Sequence, residues 1–230
     1  MCAGERAAPQ RESLFALTPQ AFAEMLGVSR ETLERLLTYV DLLTSWNRRI
    51  NLVSAPSLSD VWRRHILDSA QLIRHLDQGA RVLVDLGSGA GLPGLILGIL
   101  GVPEVHMIEV DQRKAAFLRE AVRVTRTAAT VHAVRIESVV PFPADVVTAR
   151  ALSPLTQLLH HSTPFVTMNT VSFFLKGRGL QDELTAAREK WIMRTQLLAS
   201  LADPTGHILR VEGLRAIDRP PSGRPDERAR

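Results

Sequence analysis

The chain has 230 residues, with 28 Lys or Arg against 24 Asp or Glu, a formal net charge of +4 and one cysteine. That length suits one α/β domain with an appendage and a sizeable core. No apolar run approaches the ~20 residues of a membrane span, no secretory signal is visible, and Cys2 alone excludes an internal disulfide, so a reducing, cytoplasmic location is expected.

Residues 1–20 read as a flexible tail. Ser29 then caps an amphipathic helix running to about Trp46, with Leu33, Leu36, Leu37, Val40 and Leu43 at helical spacing. A second helix follows Ser59 or Asp60, with Val61, Trp62, His65, Ile66, Ser69, Leu72, Ile73 and Leu76 on or near one face. Residues 21–80 are thus expected to form a helical cap. Arg48-Arg49 and Arg63-Arg64 in this region suit bidentate phosphate contacts, or reflect a genome rich in arginine codons.

From Arg81 the pattern alternates. Strands are expected at 81–86, 105–110, 130–135, 145–150, 171–175, about 195–200 and about 207–213, and helices at 92–100, 112–126, 154–161 and 181–193. Ser153-Pro154 looks like a helix start, a cap followed by proline at the first helical position. Such alternation specifies a Rossmann-like α/β domain over 81–215, seven-stranded and mostly parallel. A Pro- and Arg-rich stretch, 216–230, reads as a disordered tail.

The most informative run is Val82 to Gly94. A β-branched strand ends in Asp85, glycines follow at 87, 89 and 91, and an apolar helical segment begins at once. Strand, glycine turn and helix start make a nucleotide-type cofactor cleft, and Asp85 suits a ligand carrying positive charge, such as S-adenosyl-L-methionine. The same residues also fit Gly89-x-Gly91-x-x-Gly94, the dinucleotide fingerprint of an NAD(P)-dependent oxidoreductase. Glu109 ends the next strand eighteen positions after Gly91, near the spacing at which an acid meets ribose hydroxyls. Asp111 reads as a helix cap.

The rest of the chain narrows the chemistry by what it lacks. A single terminal cysteine provides neither a zinc cluster nor a nucleophile for pyrimidine C5 methylation. The Asn/Asp-Pro-Pro-aromatic loop of exocyclic amino methyltransferases is missing; Thr148-Ala149-Arg150-Ala151 stands there instead. His160-His161 reads as a helix-end pair, not a metal site. The lack of an evident acid/base pair suits attack by a ring nitrogen with a free lone pair.

Several segments in order resemble the bacterial 16S ribosomal RNA guanine-N7 methyltransferase G family, also called glucose-inhibited division protein B. They are Trp46-Asn47 with Asn51-Leu52-Val53, Arg64-His65-Ile66-Leu67-Asp68-Ser69, Asp85 to Gly94, Arg135-Ile136-Glu137, Thr148 to Ala151, and Leu175-Lys176-Gly177. The resemblance implies a class I S-adenosyl-L-methionine-dependent methyltransferase that modifies N7 of one guanine in the decoding-region hairpin of 16S rRNA. The partner is then the small ribosomal subunit or an assembly intermediate, and a monomer is the default state.

Residue by residue, the resemblance implies that Asp85, Gly87, Gly89, Gly91 and Leu92 line the methionine and adenosine cleft. Glu109 meets the ribose, Ile136 and Glu137 flank the adenine, and Arg150 sits at the cofactor–substrate junction as a positioning group. Arg64, His65 and Lys176 contact RNA phosphate or the target base. Each has a plain structural alternative: Leu92 and Ile136 as core, Glu137 as a helix-start acid, Arg150 as an ion-pair arginine, Arg64, His65 and Asp68 as pins for the helical cap. Two other classes stay open, the oxidoreductase and a non-catalytic RNA-binding factor that kept the fold.

Overall fold

A computed structural model describes residues 16–217. The expected tails, and Cys2, fall largely outside the described residues. Helix α1 spans Pro19–Leu26 and begins within the stretch expected to be flexible. Thr18 caps it, its Oγ1 accepting from the Ala21 amide, and Gly27 ends it in the left-handed conformation. Helix α2 spans Arg30–Asn47, and Ser29 caps it as its sequence predicts. Leu36 and Leu43 turn inward, but Tyr39 takes the buried place expected for Leu37, which is exposed. The Tyr39 hydroxyl donates to the Ala90 carbonyl at 2.7 Å, so this helix touches the glycine turn directly. Asn47 closes the loop after α2, accepting from the Leu52 and Val53 amides and donating to the Val53 carbonyl.

The second cap helix is not a regular α-helix. A 3-10 segment, Ala55–Asp60, leads into a π-helical stretch, Trp62–Leu67, then a single α turn, α3 (Asp68–Ala70), and a 3-10 end, Gln71–His75. The wider winding carries His65, Ile66, Leu67, Ser69 and Ala70 all to buried positions, more than one face of an α-helix would hide.

The sheet follows: β1 (Val82–Leu86), α4 (Gly94–Ile99), β2 (Glu104–Ile108), α5 (Gln112–Thr125), β3 (Ala129–His132), β4 (Val146–Arg150), α6 (Leu155–Ser162), β5 (Val171–Lys176), α7 (Leu180–Arg188), β6 (Trp191–Ala199) and β7 (His207–Ala216). Strand order is β3-β2-β1-β4-β5-β7-β6. The first five strands are parallel, and β7 is inserted antiparallel between β5 and β6. Helix α7 stops at Arg188, short of the expected 193, because Trp191 and Ile192 already pair with β7 as the start of β6. Ser153 is not the cap of α6 either. The first amide of that helix, Leu155 N, donates instead to Glu183 Oε2 of α7.

Side chains alternate across the sheet. Leu83, Val105 and Met107 face one apolar cluster with Leu36, Ile66 and Phe117; Val84, Leu86 and Val147 face another with Leu159, Phe174 and Trp191. Parallel strands buried on both faces require this double cover. The helical cap completes the first cluster and is fastened to it by Arg35 of α2. The Arg35 guanidinium donates to the carbonyls of Thr125 (2.7 Å) and Ile99 (3.2 Å), the last residues of α5 and α4, and to Thr127 Oγ1 (3.2 Å). Helix C-termini are where a cation is favoured.

Candidate active site

The carboxyl ends of β1, β2, β4 and β5 form one edge, and most of the residues singled out from sequence gather there. The turn after β1 places Gly89 at φ 55°, a left-handed conformation that a side chain resists, and a Cβ there would meet only the Gly87 carbonyl oxygen, at 3.9 Å. Gly91 serves packing instead: a Cβ would come within 2.8 Å of Leu95 Cβ. Gly87 lies against Leu152, from the segment after β4. Leu92 is 4% exposed and belongs to the first apolar cluster.

The two acids hold the turn from beneath and do not wall an open pocket. Asp85 is 0% exposed; its Oδ1 accepts from Thr148 Oγ1 of the neighbouring strand at 2.7 Å, while its Oδ2 has no hydrogen-bond partner among the described residues. Burial pushes its pKa up to about 6, against the pull of hydrogen bonds from Thr148 and its neighbours. Glu109 is also buried, and its two carboxylate oxygens accept from the Gly89 and Asp111 amides, each at 2.8 Å. Asp111 caps α5, accepting from the Arg113 and Lys114 amides.

Ile136 and Glu137 form a single 3-10 turn beyond β3. Ile136 packs on the second apolar cluster, and the exposed Glu137 leans toward His161 Nδ1 at 3.3 Å. These two are not brought to the Arg150 group. Among the described residues no cluster of His, Cys, Asp and Glu is arranged to hold a metal ion.

Arg150 ends β4 and lines a cavity of about 600 Å3 together with Arg64, His65, Asp68, Asp203 and His207. Its Nη1 donates to Asp68 Oδ2 at 3.0 Å and to the Arg64 carbonyl at 3.2 Å, and its Nη2 to His65 Nδ1 at 2.9 Å. His65 and Asp68, three positions apart on the helical stretch, both face it. Burial, then the charges of Arg150 and Arg64, push the His65 pKa down to about 3. Burial raises that of Asp68, opposed by its contact with Arg150. The next residue, Ala151, holds φ 51°, a conformation costing a non-glycine residue about 1–2 kcal/mol and characteristic of functional sites.

Of the three residues expected to contact RNA, all of which line this cavity, only Arg64 is exposed. Its side chain is exposed and makes no hydrogen bond or ion pair with the described residues. His65 is 7% exposed with both ring nitrogens engaged. The Lys176 ammonium is spent on Glu183 Oε2 (2.7 Å) and the Ser153 carbonyl (2.9 Å), which ties down the segment carrying Ala151 and Leu152. Sequence reasoning missed Ser57, Gln71, Thr148 and Glu183, all partners of this edge. Gln71 at the same three-residue step after Asp68 is a readable signal; Ser57 and Glu183 meet His65 and Lys176 across a turn with no regular spacing to mark them, and Thr148 meets Asp85 from far along the chain.

The described residues share their fold with solved structures at low identity. A ribosomal protein L11 methylase from Lactobacillus delbrueckii subsp. bulgaricus is 13% identical, with a TM-score of 0.53 over 62% of this chain and 75% of that one. A mutant MtNAS solved in complex with S-adenosylmethionine is 14% identical, with a TM-score of 0.53 over 85% and 83%. These show a class I methyltransferase fold. Curated relatives named ribosomal RNA small subunit methyltransferase G are far nearer: that of Rhodospirillum rubrum is 55% identical over 85% of this chain and 97% of its own length. That of Paramagnetospirillum magneticum is 52% identical over 87% and 97%. The family model described as rRNA small subunit methyltransferase G matches residues 32–207, helical cap and sheet together, and the chain belongs to that family.

Proposed function

We propose that this protein methylates N7 of a guanine in the decoding-region hairpin of 16S rRNA, with S-adenosyl-L-methionine as donor, acting in the cytosol as a monomer on the small subunit or its assembly intermediate. The family supports methyl transfer and sets aside the oxidoreductase reading. So does the sheet: β6 and β7 complete it and build no second substrate domain among the described residues. No described helix is long and apolar enough to cross a membrane.

The observation that carries the reading is the adjacency of two spaces on one sheet edge. The glycine turn ends β1, the cavity lined by Arg150 opens at β4 and β5, and β1 pairs with β4. The turn fits a cationic donor: the missing Cβ of Gly89 leaves space above it, and the buried Asp85, with one oxygen unpartnered, puts negative charge below. Glu109 keeps the Gly89 amide in place, and Ile136 with Glu137 takes the adenine end.

When bound, the donor supplies an electrophilic methyl on a sulfonium centre. Guanine N7 already offers a lone pair, so this chain has no proton to remove. Its residues need only align the reactants, an effect that reaches about 7–11 kcal/mol. The side chains at Arg150 agree with that division of labour. His65 has both nitrogens committed and Asp68 is paired, so neither stands ready as a base. Arg150 orients the reactants at the junction, and Arg64 meets RNA phosphate.

Methyl incorporation should be measured on small-subunit particles, naked rRNA and tRNA, with the product mapped by base-specific strand cleavage. A single N7-methylguanine in 16S rRNA is the expected result. Label confined to tRNA, or absent from every rRNA fraction, overturns it.

A further inference from the structure

Arg150 is backed by a row of largely buried side chains at the wall of the cavity. His65 Nε2 stands 2.7 Å from Ser57 Oγ, and the Ser57 hydroxyl donates to the Ser54 carbonyl at 2.6 Å. Both His65 and Ser57 are buried. The direction of every bond in this row is fixed by elementary chemistry. A guanidinium only donates, so His65 Nδ1, 2.9 Å from Arg150 Nη2, is the acceptor. The ring proton is therefore on Nε2 and is donated to Ser57, whose own proton is spent on Ser54. An imidazolium would set an N–H against the guanidinium, so the ring is neutral.

Asp68 is held just as firmly. Gln71, itself buried, donates to Asp68 Oδ1 at 3.2 Å and to Ser200 Oγ, and its Oε1 accepts from the Leu201 amide at 2.6 Å. Three acceptors from one helical stretch, namely the Arg64 carbonyl, His65 and Asp68, thus fix the guanidinium plane. Of its five N–H donors, Nε–H and one N–H of Nη2 are left without a partner among the described residues.

We propose that His65 is a positioning residue for methyl transfer: a neutral imidazole locked as the Nε2–H tautomer, backed by Ser57, that sets the plane in which Arg150 offers its two remaining donors to an oxygen of the RNA acceptor. The proposal rests on the reading that Arg150 works at the junction of donor and acceptor. It separates two jobs on one helical stretch, since Arg64 meets phosphate outside while His65 works only through Arg150.

The test compares His65→Leu, His65→Asn, Ser57→Ala, Arg150→Ala and the Arg150→Ala/His65→Leu double variant as full-length proteins, assayed on small-subunit particles. His65→Leu should lower kcat about 100-fold, the scale of a small misplacement at a reacting centre, with RNA KM, S-adenosylhomocysteine affinity and Tm nearly unchanged. His65→Asn, whose amide oxygen replaces Nδ1 as acceptor, should recover most of that loss, and Ser57→Ala should cost less than His65→Leu. The double variant should be no slower than Arg150→Ala alone. Nitrogen NMR of the wild-type ring should show the Nε2–H tautomer from pH 8 down to pH 5, a readout independent of turnover. An unchanged kcat in His65→Leu beside an inactive Arg150→Ala overturns the proposal alone, as does an Nδ1–H or charged ring. Full activity in Arg150→Ala overturns both the proposal and the reading of Arg150 on which it stands.

Discussion

Two arginines tie the helical cap to the sheet domain, and they do it in opposite ways. Arg35 spends its guanidinium on two helix-end carbonyls and a threonine hydroxyl, none of which titrates or borders a cavity. Arg150 is held by a histidine, a carboxylate and a carbonyl, lines the largest cavity described, and keeps two donors in reserve. The first arrangement is a fastener. The second fastens through as many hydrogen bonds but is built to meet something, and the strained Ala151 beside it points the same way.

The contrast breaks most sharply on activity. Arg150→Lys keeps the charge but loses the planar fork, and methyl incorporation should fall at least about 100-fold. Arg35→Ala, assayed well below its melting temperature, should leave turnover intact; equal losses in the two would erase the distinction. On stability the order reverses. Arg35→Ala strips bonds to two helix-end carbonyls and a threonine hydroxyl and should cost about 1–3 kcal/mol in urea unfolding.

The buried acid beneath the turn offers a pH probe of comparable size. The pKa of Asp85 is raised from 3.8 to about 6 in the folded chain, so between those values the native state holds more protons than the unfolded one. Stability should therefore fall as pH rises from about 4 to 6, by about 2–3 kcal/mol in all. Asp85→Asn should flatten that slope in urea titrations run across the window. Gly89→Val places a branched side chain at φ 55°, and should weaken S-adenosylhomocysteine binding at least about 10-fold by calorimetry. The smallest effect separates the two cations once assigned to RNA. Arg64→Ala should reduce the salt slope of RNA binding by about 1, whereas Lys176→Met, already neutralised by Glu183, should leave it unchanged.

Much of the fold was legible because its signals are local. Val82–Leu86, the glycine turn and the helix after it are contiguous, and Ser29 and Asp111 cap helices by reaching two or three residues along their own chain. Where a neighbouring element decides, the local signal failed. Glu183 of α7 replaces Ser153 at the start of α6, pairing with β7 pulls Trp191 and Ile192 into a strand, and the buried surface of the sheet draws residues 55–75 into mixed helical winding. The candidate site divides the same way. Its residues were found by motif, but their roles depend on partners roughly eighty positions away, as Arg150 depends on His65 and Asp68. The lysine expected at RNA lies at the cavity wall with its ammonium paired to Glu183, a partner that nothing in Leu175-Lys176-Gly177 announces.

Glu109 carries one more consequence. Its two oxygens each receive a main-chain N–H, one from the glycine turn and one from the residue that caps α5, so a single side chain sets the spacing between them. Acid-to-amide replacement is usually the mildest change a carboxylate can suffer. Here a glutamine would turn an NH2 toward one of two N–H groups, and the turn and the α5 start would no longer be held at the same distance.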